Sequence, residues 1–543
     1  MRLVSVMQMK ELERQADAGG LSYDRMMARA GKELGELIHT RFWAREFRSA
    51  LGLVGSGNNG GDTLVALTLL KREGWSVKAY IVNGREKNDP QTSAYLAAGG
   101  ELTDYSDDQT YKVLKNWINA TDIILDGILG TGISLPLRGS IPKVLSTISS
   151  IKKTPFIVAV DCPSGIDCDS GEAAKESLKA DLTVCMAAVK HGLLKYPAHH
   201  RVGEITVVDI GLPGSLQAWK GIKGEVMTTK KAAALLPPRP ENAHKGTFGT
   251  CMIAAGSVNY CGAPLLASEA AYRVGAGLVR TAIPGAIYDA IAGRLPEATW
   301  LVLPHTDGVI NADGAGVLRR NLDRVSVMLI GPGLGSESPT QDFITSLFEK
   351  IDSQNSSRRP IGFSGEKRDE KTASLVDLPP TMVIDADGLR LLARIKDWAN
   401  KLGKTAVLTP HPGEMAALTG LPVEEIQNNR VECALEYARK WGHVVVLKGA
   451  LTVTADPTGK YMVNPAATSA LATAGTGDVL AGMITGFIAQ GLTGYSAAIT
   501  GVWLHAQAGI LAAAYLGSNA AVTARDVLAA IPAALKTTTG TQN

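Results

Sequence analysis

Short apolar runs that stop on a glycine, aspartate, asparagine or proline turn recur along this 543-residue chain, and they constrain its fold more than any other feature. "LGLVG", "VKAYIV", "DIILD", "FIVAVD" and "EITVVDIG" form one series; "GTCMIAAGS", "VSVMLIGPGLG", "TMVIDADGL", "TAVLTPHPGE" and "HVVVLKGALT" form a second. A strand that is apolar on every residue, rather than on alternate ones, is buried on both faces, as in a parallel sheet covered by helices. Each series is therefore expected to build an α/β domain: a doubly wound Rossmann-like sheet first, then a second α/β sheet. The length exceeds one ordinary domain, and two to four are expected. Between the series lie "GLPGSLQAWKGIKGE" and "LLPPRPENAHKG", so residues 213–245 have the composition of a linker. The boundary is placed near residue 222, giving units 1–222 and 223–543.

Composition excludes several classes. A net charge of +3 with 20% charged residues offers no basic field for nucleic acid or for an anionic membrane. The six cysteines contain no C-x-x-C pair and no zinc-like spacing, and read as reduced core residues of a cytoplasmic protein. The first residues, "MRLVSVMQMKELERQ", lack an apolar stretch of signal-peptide length. Residues 497–517, "AAITGVWLHAQAGILAAAYLG", are long enough to span a bilayer, but His505 and Gln507 near the middle favour a buried core helix. Residues 353–375 are polar and aperiodic, and are expected to form a surface excursion.

Ligands of open α/β sheets sit beyond the carboxyl ends of the strands, which directs attention to the turns. In "GLVGSGNNGGDT", Gly55, Gly57 and Gly60 satisfy the letter of the dinucleotide fingerprint. The acid expected about twenty residues on, at the end of the next strand, is missing; Asn83 stands there, which argues against an ordinary NAD-dependent hydride site. A tight turn serving only strand-to-helix packing is the alternative. In the same unit Asp126 ends a strand beside Gly130, Thr131 and Gly132, and Asp161 ends another just before Ser164. Such oxygen-bearing groups could hold a hard, weakly charged cation, or the two aspartates could cap following helices. Far downstream, "SALATAGTGDVLAGMITG" joins a glycine loop to an apolar helix, whose first amides would make an anion site. It has Gly-Asp-Val where a P-loop has Gly-Lys-Ser/Thr. An acid beside a phosphate, Asp478, suggests a base that deprotonates an acceptor hydroxyl, with a helix cap as the plain alternative.

"GSGNNGGD", "LDGILGTG" and "AVDCPSGIDCDSG" resemble the YjeF N-terminal domain, the NAD(P)H-hydrate epimerase. "YCGAPLLASEAAYRVGAGLV", "IGPGLG", "VIDADGL", "TPHPGEMAALTG", "VVLKGALTV" and "LATAGTGDVLAG" resemble the ADP/ATP-dependent NAD(P)H-hydrate dehydratase, a ribokinase-like fold. The resemblance covers nearly the whole chain. It implies an isomerase and a lyase on one polypeptide, acting on hydrates in which water has added across the nicotinamide C5–C6 double bond. For the epimerase it implies hydrate binding by Asn58, Asn59, Gly60, Gly61 and Asp62, by Gly130, Thr131, Gly132, Ile133, Ser134, Leu135 and Pro136, and by Asp161. Asp161 would be the acid/base, serving the proton traffic as the C6–O bond breaks and re-forms, and K⁺ would sit on Asn59, Asp126 and Ser164. For the dehydratase it implies hydrate contacts from Ala263, Gly335, His411 and Asp478. Nucleotide contacts would come from Lys448, Gly449, Ala450, Leu451 and Thr452 and from Ala474, Gly475, Thr476 and Gly477. Asp478 would be the base toward the C6 hydroxyl, and Glu414 would help organise Mg²⁺ with ADP or ATP. The implied partners are the small molecules NADHX, NADPHX and ADP or ATP, with no nucleic acid and no membrane; a homo-oligomer is expected. Departures from the family pattern are Thr63 for a usual Gly, Glu13 for a common Asp, and Gly388 and Arg390 for Ala and Asn; Thr63 alone is expected to affect a site loop. Two rival readings are a vitamin or sugar kinase using the same Gly-Thr-Gly-Asp loop, and a first half that is a non-catalytic scaffold or RNA-binding module.

Overall fold

The computed structural model describes residues 1–86, 88–151, 155–349, 377–379 and 381–540. The polar excursion at 353–375 lies outside the described residues. The chain forms two compact units, Met1–Val226 and Met227–Asn543.

The first unit is built on a sheet whose strands lie in the order Glu101–Asp104, Ser76–Ile81, Ser49–Val54, Ile123–Gly127, Phe156–Val160, Leu182–Met186 and Glu204–Val208. All neighbours are parallel. Chain order runs outward from Ser49–Val54 on one side and then, from Ile123–Gly127, outward on the other. The crevice between those two strands is thus the topological switch point, where such sheets bind ligands. Alternation of side chains across the strands splits the core into two layers. Ala50 and Val54 face one layer with Leu34, Ile38, Leu64 and Leu67 from the helices Tyr23–Trp43 and Asn58–Arg72. Leu51 and Leu53 face the other, with Leu114, Trp117, Val144 and Leu145 from the helices Lys112–Asn119 and Ile141–Ser149. Outside that seven-stranded sheet, Arg2–Val4 pairs with Gly224–Val226 and with Val189–Lys190. Lys190, on the last of these, is buried.

In the second unit the sheet runs Thr299–Leu303, Leu278–Pro284, Thr250–Ala254, Val327–Ile330, Thr381–Ile384, Thr405–Leu408 and Val444–Leu447, all parallel. An antiparallel pair, Val453–Ala455 and Tyr461–Val463, extends it. Here too the order reverses, between Thr250–Ala254 and Val327–Ile330. One face is covered by the helices Ala263–Arg273, Thr476–Ala489, Gly494–Leu516 and Ala524–Thr539, the other by Asp313–Arg320, Ser338–Phe348 and Asp387–Leu392. The apolar helix expected over 497–517 spans Gly494–Leu516; it is long and apolar enough to cross a membrane, yet most of it is buried in this core.

Three expectations need correction. The junction does not read out as bare linker: the helix Ala218–Gly221, the strand Gly224–Val226 and the helix Thr229–Leu235 lie within it. Of the cysteines, Cys261 is exposed while the others are buried. Neither Asp126 nor Asp161 caps a helix. Asp126 lies within its strand, and the carboxylate of Asp161 accepts from Met186 N and Lys190.

Candidate active sites

The strand Ser49–Val54 runs through Gly55 to Gly57, which precedes the helix Asn58–Arg72 without placing any side chain on its first amides. Glycine is required where the backbone crowds: a Cβ at Gly55 would stand 1.8 Å from Ile128 O, and one at Gly60 would stand 2.1 Å from Gly55 O. This packing brings the first two loops into contact. Asn59 Nδ2 donates to Leu129 O (2.9 Å) and Val160 O (2.8 Å), tying the helix start to the ends of the next two strands. Beneath them Asp126 is fully buried; it accepts from Ser164 Oγ (2.5 Å) and Ser164 N (2.9 Å), while Ser164 Oγ accepts from Leu129 N (2.9 Å). Burial pushes the Asp126 carboxyl up, opposed by hydrogen bonds from Ser164 and Ile128 N; no cationic side chain is among the groups acting on it.

A cavity of 420 Å³ opens above, lined by Asn58, Asn59, Asp62, Gly130, Thr131, Gly132 and Asp161. Gly60, Gly61, Ile133, Ser134, Leu135 and Pro136 are not among its lining residues. The wall also includes Glu13 and Lys190. Asp161 sits at φ 64°, a left-handed conformation a non-glycine residue rarely takes, so its placement is imposed by the surroundings. The buried Lys190 ammonium is ion-paired with its Oδ1. Burial raises the Asp62 carboxyl well above the ordinary range, with the Asp161 and Glu13 charges adding to the effect. Burial likewise raises Glu13, against the pull of Lys190.

In the second unit the strand-end turns converge in the same manner. The glycine loop closes at Gly475 (φ 89°), the residue before the helix Thr476–Ala489, and no side chain caps that helix. Asp478 therefore occupies the first turn without being the cap. Desolvation, reinforced by Asp385 and opposed by Lys448, pushes its carboxyl up to about 7. Lys448 Nζ donates to Asp385 Oδ1 (2.6 Å), lies 3.7 Å from Glu414, and approaches Gly477 so closely that a Cβ there would be 3.5 Å from it. Asp385 Oδ1 also accepts from Thr409 Oγ1 (2.7 Å), whereas its Oδ2 is buried with no hydrogen-bond partner among the described residues.

His411 is the N-cap of the helix Pro412–Thr419: its Nδ1 accepts from Gly413 N (3.0 Å) and Glu414 N (3.4 Å), and Glu414 Oε2 accepts from His411 N (2.8 Å). Burial, with Lys448 nearby, lowers the imidazole below its ordinary value and keeps it neutral near pH 7. Gly333 is confined between Tyr260 and Ala263, and Gly335 N donates to Asp387 Oδ2 (3.0 Å). Gly449 and Leu451 hold φ 142° and 57° in the turn after Lys448, which Thr452 Oγ1 closes on Gly449 O (2.8 Å).

A family model for the YjeF-related protein N-terminus matches residues 23–192, and one for NAD(P)H-hydrate dehydratase matches residues 251–356 and 365–533. The bifunctional NAD(P)H-hydrate repair enzyme Nnr of Moorella thermoacetica is 34% identical over 543 residues, covering 99% of this chain and 97% of its own. The chain belongs to the bifunctional NAD(P)H-hydrate repair enzymes. The Thermofilum pendens enzyme of the same name is 32% identical over 547 residues, 99% of this chain and 96% of its own. A solved ADP/ATP-dependent NAD(P)H-hydrate dehydratase of Bacillus subtilis, co-crystallised with ATP/Mg²⁺, aligns at 30% identity and a TM-score of 0.46 over 58% of this chain and 98% of its own. Matches to both halves of these repair enzymes set aside a kinase fused to a non-catalytic module.

Within this repair enzyme three site-lining groups were not singled out by sequence reasoning. Asp385 was visible in "VIDADGL" as a strand-end acid like the others. Lys190 gave no signal, since a lysine on a two-residue strand fits no motif. Glu13 stood out only as a departure. Arg390 corrects an expectation: its charge acts on both His411 and Glu414, so that departure does reach the site. Thr63 is accommodated, its Oγ1 donating to Asn59 O (2.8 Å) at the point where Gly127 supplies no side chain.

Proposed function

We propose that the first unit interconverts the R and S hydrates of NADH and NADPH at C6, and that the second removes water from the S form at the expense of ADP or ATP. The observation that carries this reading is a pair of separate strand-end clefts, each holding a carboxyl group whose surroundings suit it to proton transfer. Neighbouring acids whose environments push them apart divide into proton holder and proton acceptor. In the first cleft Asp62, buried beside Asp161 and Glu13, is the proton holder, and Asp161, paired with Lys190, is the acceptor. Asp62 protonates the C6 hydroxyl as the C6–O bond breaks, and the ring nitrogen's lone pair stabilises C6. Water returns to the opposite face and gives a proton to Asp161; the reverse turnover, or cavity water, restores the starting state. A buried carboxylate with no cationic side chain acting on it, flanked by Ser164 and Asn59, suits a large monovalent ion, and K⁺ held there would supply fixed positive charge beneath the hydrate.

In the second cleft Asp478 takes the proton of the C6 hydroxyl, whose oxygen attacks the terminal phosphoryl group. The phosphate then departs with that oxygen as the nitrogen lone pair and loss of the C5 proton to water restore the C5–C6 double bond. The amides of Gly475 to Gly477 and the Lys448 ammonium would steady the transferring group. Glu414 is committed to the helix start, so the unpartnered Oδ2 of Asp385 is the better fit for a divalent ion; Mg²⁺ bound with the nucleotide would neutralise phosphate charge there. The test is to incubate the protein with mixed hydrates, with and without ADP. Without nucleotide the epimers should equilibrate with no NADH formed; with ADP both should disappear as NADH and AMP accumulate. Conversion of a thiazole or pyrimidine alcohol and not of the hydrates would contradict the reading.

A further inference from the structure

Lys190 is 1% exposed, and an ammonium so deeply buried is tolerated only where it is paired. Its Nζ has two partners, Asp161 Oδ1 and Met186 O (3.2 Å). Asp161 Oδ1 accepts a second hydrogen bond from Met186 N (2.9 Å). Both donors thus converge on one carboxylate oxygen, and among the described residues no hydrogen bond reaches the other. Asp161 lines the cavity with its side chain 13% exposed, so Oδ2 is the oxygen a bound hydrate can meet. The left-handed backbone at Asp161 and its N–H bond to Val184 O (2.8 Å) fix the carboxylate from the main-chain side. The other groups around the pair are Lys10 and Glu13 from the helix Val6–Ala18, Asp62 from the helix Asn58–Arg72, and the buried thiols of Cys162, Cys168 and Cys185. Three carboxyl groups therefore share the cleft, and Asp161 is the one among them that the lysine hydrogen-bonds.

We propose that Lys190 is the positioning residue of the epimerase: it pins Oδ1 of Asp161 so that Oδ2 alone exchanges the proton at C6, and it selects Asp161 among the three acids as the acceptor. This rests on the reading of the first cleft given above. A side chain that merely fills space could be replaced by Met at similar volume. One that acts through its charge could not, yet should tolerate Arg.

The test uses full-length Lys190→Met, Lys190→Gln and Lys190→Arg, following R-to-S conversion without nucleotide by chromatography. The two neutral variants should lose roughly 10²-fold in kcat, the size of a general acid–base contribution, with KM within about threefold of wild type. Lys190→Arg should keep kcat within about tenfold of wild type, since it restores the charge beside Oδ1. Dehydration of purified S hydrate with ADP should be unchanged in all three, which reports on the second unit, and thermal unfolding that matches wild type would report that the first unit is folded; if Lys190→Met does not fold, Lys190→Gln carries the same test. A neutral variant with wild-type kcat, or an Arg variant as impaired as the neutral ones, overturns the proposal. Wild-type protein that fails to epimerise, or Asp161→Asn that still does, overturns the reading of the cleft instead.

Discussion

Asp478 holds its proton until the pH reaches about 7, since burial and the nearby Asp385 charge outweigh the pull of Lys448. A base is active only when deprotonated, so the sign of the pH dependence follows directly. Dehydration of the S hydrate should be near its plateau above pH 8 and fall about tenfold per unit as pH drops well below 7. A kcat profile flat between pH 5 and pH 8 would contradict the assignment. The residue-scale account was partly legible in the sequence. Asp126, Asp161, Asp385 and Asp478 all stand where an apolar run or a glycine loop ends, and that placement alone marks them. What a linear reading cannot supply is which acid faces which cation. Lys190 reaches Asp161 from the strand Val189–Lys190, and Arg390, on the helix Asp387–Leu392, brings its charge near His411; both relations exist only once the strands are ordered.

The same division holds for elements. Most strands were readable because they are apolar runs that stop on a turn residue; Glu101–Asp104 and Leu278–Pro284, which carry charged side chains, gave no such signal. The second unit's apolar helix was readable because its length exceeds what a strand needs. The short elements inside the junction gave no signal, because glycine, proline and charge are as compatible with short helices and a three-residue strand as with a linker. Packing at the helix Thr476–Ala489 depends on a feature the periodicity did not reveal. Gly482 lies where the helix Thr476–Ala489 crosses the helix Ala263–Arg273, and a Cβ there would stand 2.1 Å from Ala267 O. That contact is with backbone, so the helices themselves must separate. Gly482→Ala should therefore destabilise the second unit by about 1–3 kcal/mol, as overpacked cores do, despite alanine's better helix propensity. Thermal or denaturant unfolding would show it, and an unchanged or raised Tm would mean that the crossing yields more easily than the geometry indicates.

Across the whole molecule, two sheets each reverse their strand order once, and each reversal places glycine loops and strand-end acids around one cleft. Neither cleft as described draws a residue from the other unit, so the two reactions should communicate only through released hydrate. The most direct measurement is complementation between full-length Asp161→Asn and Asp478→Asn proteins, with mixed R and S hydrates, ADP, and each epimer followed by chromatography. Asp161→Asn alone should consume the S form and leave the R form at its no-enzyme rate. Asp478→Asn alone should equilibrate the epimers and yield no NADH. Mixed together, the two should convert both epimers completely. If the mixture leaves the R hydrate at the level seen with Asp161→Asn alone, or if either single variant completes the conversion unaided, the assignment of one reaction and one acid to each unit is wrong.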